Sequence, residues 1–229
     1  MKSILFKLKN YSLSYSHKSA SRKILSDISL NISEGEKVAI LGESGVGKSS
    51  LLEVLRKQLP EDIAFAPQSD ALVDTLSVFH NLYMGALHRH SALHNLVNLI
   101  APRALEKTEL KILASELNLQ DHLWAPVSQL SGGQVRRVIV GRALYQKRRI
   151  FIGDEITSGL DFVQAESMFQ LIAKTHDTLL LALHNIDFAL KHCTRIIALK
   201  DQCIVIDAAS EGLQKKDLAS IFNSEKLLS

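Results

Sequence analysis

Long hydrophobic runs are missing from this chain. No stretch approaches the roughly 20 apolar residues needed to cross a bilayer, so if the protein works at a membrane, another polypeptide is expected to provide the span. The first ten residues, MKSILFKLKN, are too short and too interrupted by lysine to be a signal peptide. Cysteine is scarce. Cys193 and Cys203 form neither a metal-type spacing nor a disulfide framework, which predicts a reducing, cytoplasmic setting. Only 4 prolines and 11 glycines occur in 229 residues. Low-complexity tracts, internal repeats and linkers are absent, so the chain reads as one compact unit. Charge imbalance is small: a net +3 makes no case for nucleic acid. The short basic run QKRR (146–149) reads as a solvated helix C-terminus.

What is present is an ordinary globular composition, 46% hydrophobic and 22% charged, in a chain long enough to bury a core. The first third reads as short strands. In DISLNISEG, Ile28, Leu30 and Ile32 alternate with polar residues, as in a half-exposed antiparallel strand. KVAIL (37–41) is instead continuously apolar, the pattern of a strand buried on both faces. A helix is expected from Lys48 to about Leu59, with Leu51, Leu52 and Leu55 on one side, followed by the short strand IAFA (63–66). Residues from about 76 to 147 carry helical spacing and almost no strand signal. RIFIGD and TLLLALH are two more apolar strands around a helix-like FVQAESMFQLIAKT; RIIALK and CIVID close as a hairpin, and a last helix is expected over about 215–228. The fold class is therefore α/β, with a helical region inserted at about 76–147.

Three motifs carry chemistry. GESGVGKS (Gly42–Ser49) follows a buried strand and opens a helix, the context a phosphate-binding loop requires. Its glycine-rich turn lets backbone N–H groups cradle phosphates, while Lys48 neutralises terminal phosphate oxygens and Ser49 offers a hydroxyl to Mg²⁺. RIFIGDE ends an apolar strand on Asp154, placed to hold Mg²⁺, with Glu155 beside it as a candidate general base for an attacking water. SQLSGGQ places Ser131 three residues before Gln134, a capping box at a helix start. Such a box explains the serine and the glutamine but not Gly132 and Gly133. Glycine is a poor helix residue, so the pair suggests close approach of an anionic ligand to the helix N-terminus.

The phosphate loop, LSGGQ (130–134) and the DE pair, in this order, resemble the ATP-binding cassette (ABC) ATPases, over roughly residues 4–206. The resemblance implies a P-loop NTPase core with a small antiparallel β subdomain and the inserted helical subdomain, the whole being a single ATP-binding domain over 1–229. It also implies ATP and Mg²⁺ as cofactors. ATP would be held by Tyr15 (resembling the aromatic that stacks on adenine), Gly42, Glu43, Ser44, Gly45, Val46, Gly47, Lys48, Ser49 and Ser50. Gln68 resembles the glutamine that senses Mg²⁺, so Ser49, Gln68 and Asp154 would serve the metal. Glu155, Lys48 and His184 (the switch histidine after LLLAL) would be catalytic. Ser131, Gly132, Gly133 and Gln134 would meet ATP held on a second subunit, and SGLD (158–161), with Asp161, would cross that dimer interface. Three departures stand out. Ile156 replaces the usual proline after DE, Gly153 interrupts the apolar run before it, and only 20 positions separate Lys48 from Gln68, where such ATPases carry about twice that. A trimmed antiparallel subdomain is expected.

LSVFHNLYMGALHRHSALHNLVNLIAP and LHNIDFALKHCTRIIALKDQCIV are similar to the ATPases of phosphonate-type importers. This implies a homodimer formed on ATP binding, integral-membrane permease subunits, a periplasmic or surface solute-binding protein, and a cytoplasmic position on the inner face of the membrane. Alternatives are an exporter or lipoprotein-extraction ATPase, or a soluble cassette with a regulatory or nucleic-acid-associated role. The latter group carries paired cassettes or coiled-coil insertions, and neither is present. His88, His90 and His94 invite a metal reading, because 90 and 94 share a helix face. With no nearby carboxylate or cysteine to complete a set, a solvated face is the expectation.

Overall fold

The structure is a computed structural model that describes residues 3–17, 20–69, 72–219 and 221–222. Its elements in chain order are β1 (Ile4–His17), β2 (Ala20–Ser33), β3 (Lys37–Leu41), α1 (Lys48–Arg56), β4 (Ile63–Ala66), α2 (Val78–Tyr83), α3 (Ala92–Ile100), α4 (Ala104–Glu116), α5 (Gly132–Leu144), β5 (Ile150–Asp154), α6 (Phe162–Thr175), β6 (Thr178–Ala182), α7 (Ile186–His192), β7 (Arg195–Lys200), β8 (Cys203–Ala209) and α8 (Lys215–Ala219). The strands form a two-stranded sheet, β1-β2, and a six-stranded sheet in the order β4-β5-β6-β3-β7-β8. By contacts, the chain falls into two compact units. The first is Met1–Ile63, Ile152–Glu155 and Asp177–Ser229; the second is Ala64–Phe151 and Ile156–His176.

In the first unit, β3 runs parallel to β6 on one side and β7 on the other. Its four residues Val38–Leu41 are fully buried, which is why the run is apolar without alternation. β7 turns back into β8 through Asp201 and Gln202, both at positive φ (48° and 69°), the geometry of a two-residue hairpin turn. β1 and β2 pair antiparallel and bury Phe6, Leu25, Ile28 and Ile32 completely. Each strand is 14 residues long. The expected short strands are thus corrected to two long ones, whose length is absorbed by irregular register between Ile4 and Ser14. Among the described residues no strand lies between α1 and β4, in keeping with the short spacing there.

Helix α1 ends at Arg56 rather than near Leu59, its C-cap amide on Lys57 returning to the Glu53 and Leu55 carbonyls. The last helix runs over Lys215–Ala219; residues 220 and 223–229 lie outside the described residues. Cys193 is buried, and burial pushes its thiol up to about 12, which leaves it unreactive.

The second unit carries α2 to α6 around its own core. Val78, Phe79, Leu82, Tyr83, Leu110, Leu117, Leu123, Val127 and Val138 cluster there with almost no exposure. A fully buried side chain of this size contributes about 1.5–3 kcal/mol, so this cluster holds α2, α4 and α5 together, while α3 contributes no residue to it. Asn81 is buried among them, and its amide is saturated. It accepts from Val73 N at 2.8 Å and donates to the carbonyls of Val73, Leu76 and Ser77. One polar side chain thereby shapes the segment 73–77 that follows Gln68.

Candidate nucleotide-binding site

The loop between β3 and α1 leaves the carboxyl end of a central parallel strand, where α/β sheets place ligands. Two of its glycines are required by space as well as by conformation. A Cβ on Gly42 (φ 150°) would lie 2.6 Å from the Leu199 carbonyl, and one on Gly47 (φ 116°) 2.8 Å from the Ile24 carbonyl. No side chain caps the N-terminus of α1, so its first amides are available to an anion. Lys48 opens that helix and is only 4% exposed. Its ammonium donates to Gly42 O (2.8 Å) and Glu43 O (3.0 Å). Burial pulls its pKa down, and the negative charges of Glu155 and Asp154 oppose that shift. Ser49, next in line, is exposed.

Both acidic residues sit at the end of β5. Asp154 is buried to 4% exposure. Glu155 has left-handed backbone (φ 51°), an uncommon conformation for a residue with a side chain. Its amide donates to Ala182 O at the end of β6, 3.0 Å away. His184 follows two residues later, and its Nε2 lies 2.5 Å from Glu155 Oε1. The backbone link and the side-chain link therefore register the same two strand ends. Phosphate loop, Asp154, Glu155 and His184 all belong to the first unit. Tyr15 lies in the same unit near the end of β1, 57% exposed, a position open to a stacking ligand.

The remaining candidates belong to the second unit. Ser131 caps α5, accepting from Gln134 N (3.3 Å), while Gln134 Oε1 accepts from Ser131 N (2.8 Å). The capping box is thus complete. Gly132 has nothing within 4 Å of where a Cβ would stand, and its backbone is helical. Nothing within this unit, then, explains glycine at 132. Gly133 is closer to its surroundings: a Cβ there would meet Leu160 Cδ2 at 3.2 Å, so the signature and the SGLD loop are neighbours. Asp161 caps α6, accepting from Gln164 N at 2.8 Å. Gln68 is exposed just beyond β4, and its carbonyl accepts from Arg136 Nη1 on α5 at 2.7 Å. Ile156, in the position of the usual proline, is fully buried.

Two interactions escape the sequence. Neither the His184–Glu155 contact nor the Arg136–Gln68 contact has a local signal, because 29 and 68 positions separate the partners. The histidine reading also needs correction. A carboxylate does lie beside His94: Glu106 Oε1 is 2.9 Å from its Nε2, brought there because α4 folds back on α3.

A glycine-bearing loop at a strand end, with a buried aspartate, a glutamate and a histidine at neighbouring strand ends, is the arrangement expected of a nucleotide-hydrolysing cassette. The sequence pattern of the ABC transporter family matches residues 25–158. The chain belongs to that family and is an ATP-binding, ATP-hydrolysing subunit of an ABC transporter. It is 32% identical to the probable ABC transporter ATP-binding protein p29 of Mycoplasma pneumoniae, over 87% of this chain and 92% of that protein. It is also 32% identical to the phosphonates import ATP-binding protein PhnC of Pseudomonas putida, over 90% of this chain and 86% of the relative. Among solved structures it is similar to a dimeric ATP-binding cassette in a post-hydrolysis state bound to ADP and Pi. The TM-score is 0.75 at 26% identity, covering 90% of this chain and 99% of that one.

Proposed function

We propose that the chain powers import of a small phosphonate- or phosphite-like solute by Mg²⁺-dependent hydrolysis of ATP, with Glu155 as the base. The convergence of Lys48, Asp154, Glu155 and His184 on neighbouring strand ends supports the hydrolysis, and the 32% identity to a phosphonates import ATP-binding protein supports the solute. The loop amides from Gly42 to Ser50 and the Lys48 ammonium grip the phosphates. Mg²⁺ is a hard cation that takes oxygen ligands. The exposed Ser49 hydroxyl and the buried Asp154 carboxylate fit it, and when bound it neutralises developing phosphate charge. Gln68 is assigned to the ion on motif order. Glu155 accepts a proton from the attacking water, and His184 holds that carboxylate in place. Replacing Lys48 with alanine is expected to abolish ATP binding, measured by fluorescence of a nucleotide analogue; retained binding would remove Lys48 from the site.

The signature residues Ser131–Gln134 and the Asp161 loop are assigned to the nucleotide of a second copy, making the active form an ATP-dependent homodimer. The cassette in the similar solved structure is itself dimeric. Among the described residues no helix is long and apolar enough to cross a membrane, and permease subunits are assigned from the likeness to import ATP-binding proteins. We place their docking surface in residues 69–100, with the chain on the inner face of the membrane and a periplasmic or surface binding protein delivering the solute. Within that segment Val78, Phe79 and Leu82 are spent on the core, whereas Val73 is 41% exposed. Further along, α3 shows Leu93 (71%) and Ile100 (79%) to solvent, an apolar face suited to a short helix of the permease. Charged substitutions at Val73, Leu93 and Ile100 are expected to uncouple transport while basal ATPase persists. If deletion of the protein leaves phosphonate, phosphite and phosphate uptake unchanged, the importer reading falls.

A further inference from the structure

Three side chains remote in sequence from every phosphate-handling residue meet in the second unit. His90 ends a 3-10 turn at 84–89, His94 lies in the first turn of α3, and Glu106 lies in the first turn of α4. One ring nitrogen of each histidine and one carboxylate oxygen all lie within 4.8 Å of one another. The two imidazoles stack with centroids 4.1 Å apart and planes 6° from parallel. Glu106 is 4% exposed. One of its oxygens faces His94, but Oε2 is buried with no hydrogen-bond partner. Buried carboxylate oxygens are normally satisfied. A simple His94–Glu106 hydrogen bond leaves that oxygen, and the stacked His90, without a role.

We propose that His90, His94 and Glu106 bind a zinc-like divalent transition-metal ion that ties α3 to α4. Two imidazoles and a carboxylate are a donor set that such ions take up, with bonds of about 2.0–2.2 Å. Donors around a tetrahedral ion stand about 3.3 Å apart; because an ion lies in the plane of each imidazole it binds, one ring has to turn out of the parallel stack as the ion enters. The His94 side chain is 20% exposed, so the cluster can be reached from solvent. The proton between His94 and Glu106 leaves to solvent as the ion enters. The guanidinium of Arg89 is turned onto the Tyr145 ring, 4.6 Å from its centroid. Helix α3 buries only Asn98, so a clamp at its first turn would hold an otherwise loosely packed element.

The test is a Zn²⁺ titration of the full chain after EDTA treatment, with Mg²⁺ in excess to occupy oxygen-rich sites. One equivalent should bind with proton release, seen as a buffer-dependent heat. His90→Ala, His94→Ala and Glu106→Gln should each weaken binding by more than about 100-fold, with thermal melts in zinc-free buffer verifying the fold. Co²⁺ in the wild-type protein should give four-coordinate visible bands without thiolate charge transfer, a readout that does not depend on any variant folding. Absence of stoichiometric binding, thiolate bands pointing to Cys203, or unchanged affinity in folded variants would overturn the site.

Discussion

Glu155→Gln is expected to slow ATP turnover by about 10²–10⁴-fold, the range that a positioned general base contributes, with nucleotide affinity unchanged. The substitution keeps the shape and removes only the ability to accept a proton. The backbone at 155 does not depend on the carboxylate, because its left-handed turn is held by the amide bond to Ala182 O. The amide side chain can still contact His184 Nε2, which lies 2.5 Å from the native oxygen. Loss of turnover therefore reports lost basicity rather than lost structure. His184→Ala should also slow turnover. Combined with Glu155→Gln it should add little, since residues that act as a unit give non-additive losses. Hydrolysis by Glu155→Gln at the wild-type rate would exclude Glu155 as the base.

The second large effect concerns assembly. With Glu155→Gln holding ATP unhydrolysed, the protein should elute as a dimer on size exclusion; adding Gly132→Glu should return it to monomer while each chain still binds ATP. The site was chosen because the substitution is benign within the chain. A Cβ at 132 meets nothing within 4 Å. Leaving glycine in a helix gains up to about 1 kcal/mol, and an acidic residue near a helix N-terminus adds about 0.3–1 kcal/mol. Fold stability should thus hold or rise as dimerisation fails. That opposition of signs is what a close approach by an anionic ligand predicts. A variant that dimerised normally would remove the signature from the interface, and one that lost ATP binding as well would show a different role for residues 131–134.

Much of this was legible in the residues. The phosphate loop, the capping box and Asp154 at a strand end are local patterns, set by spacings of a few residues whose geometry is decided by φ preferences and hydrogen bonding within one turn. The buried strands were visible for the same reason: β3 is covered on both faces, so every position is apolar. The lengths of β1 and β2 were not, because register irregularities break the alternation on which a strand is recognised.

The family was determined by the sequence alone, and Lys48, Asp154, Glu155 and the signature glycines were singled out by it. Only the tertiary structure decided which distant side chains touch. It placed His184 on Glu155, tied Gln68 to the signature helix through Arg136, and brought Glu106 beside His94. The physical reason is that such contacts form between elements packed by non-directional burial of apolar surface, which leaves no spacing to read along the chain. The same packing decided that Val78, Phe79 and Leu82 serve the core and Val73, Leu93 and Ile100 face solvent, because an apolar residue reads alike in sequence whether its neighbours cover it or not.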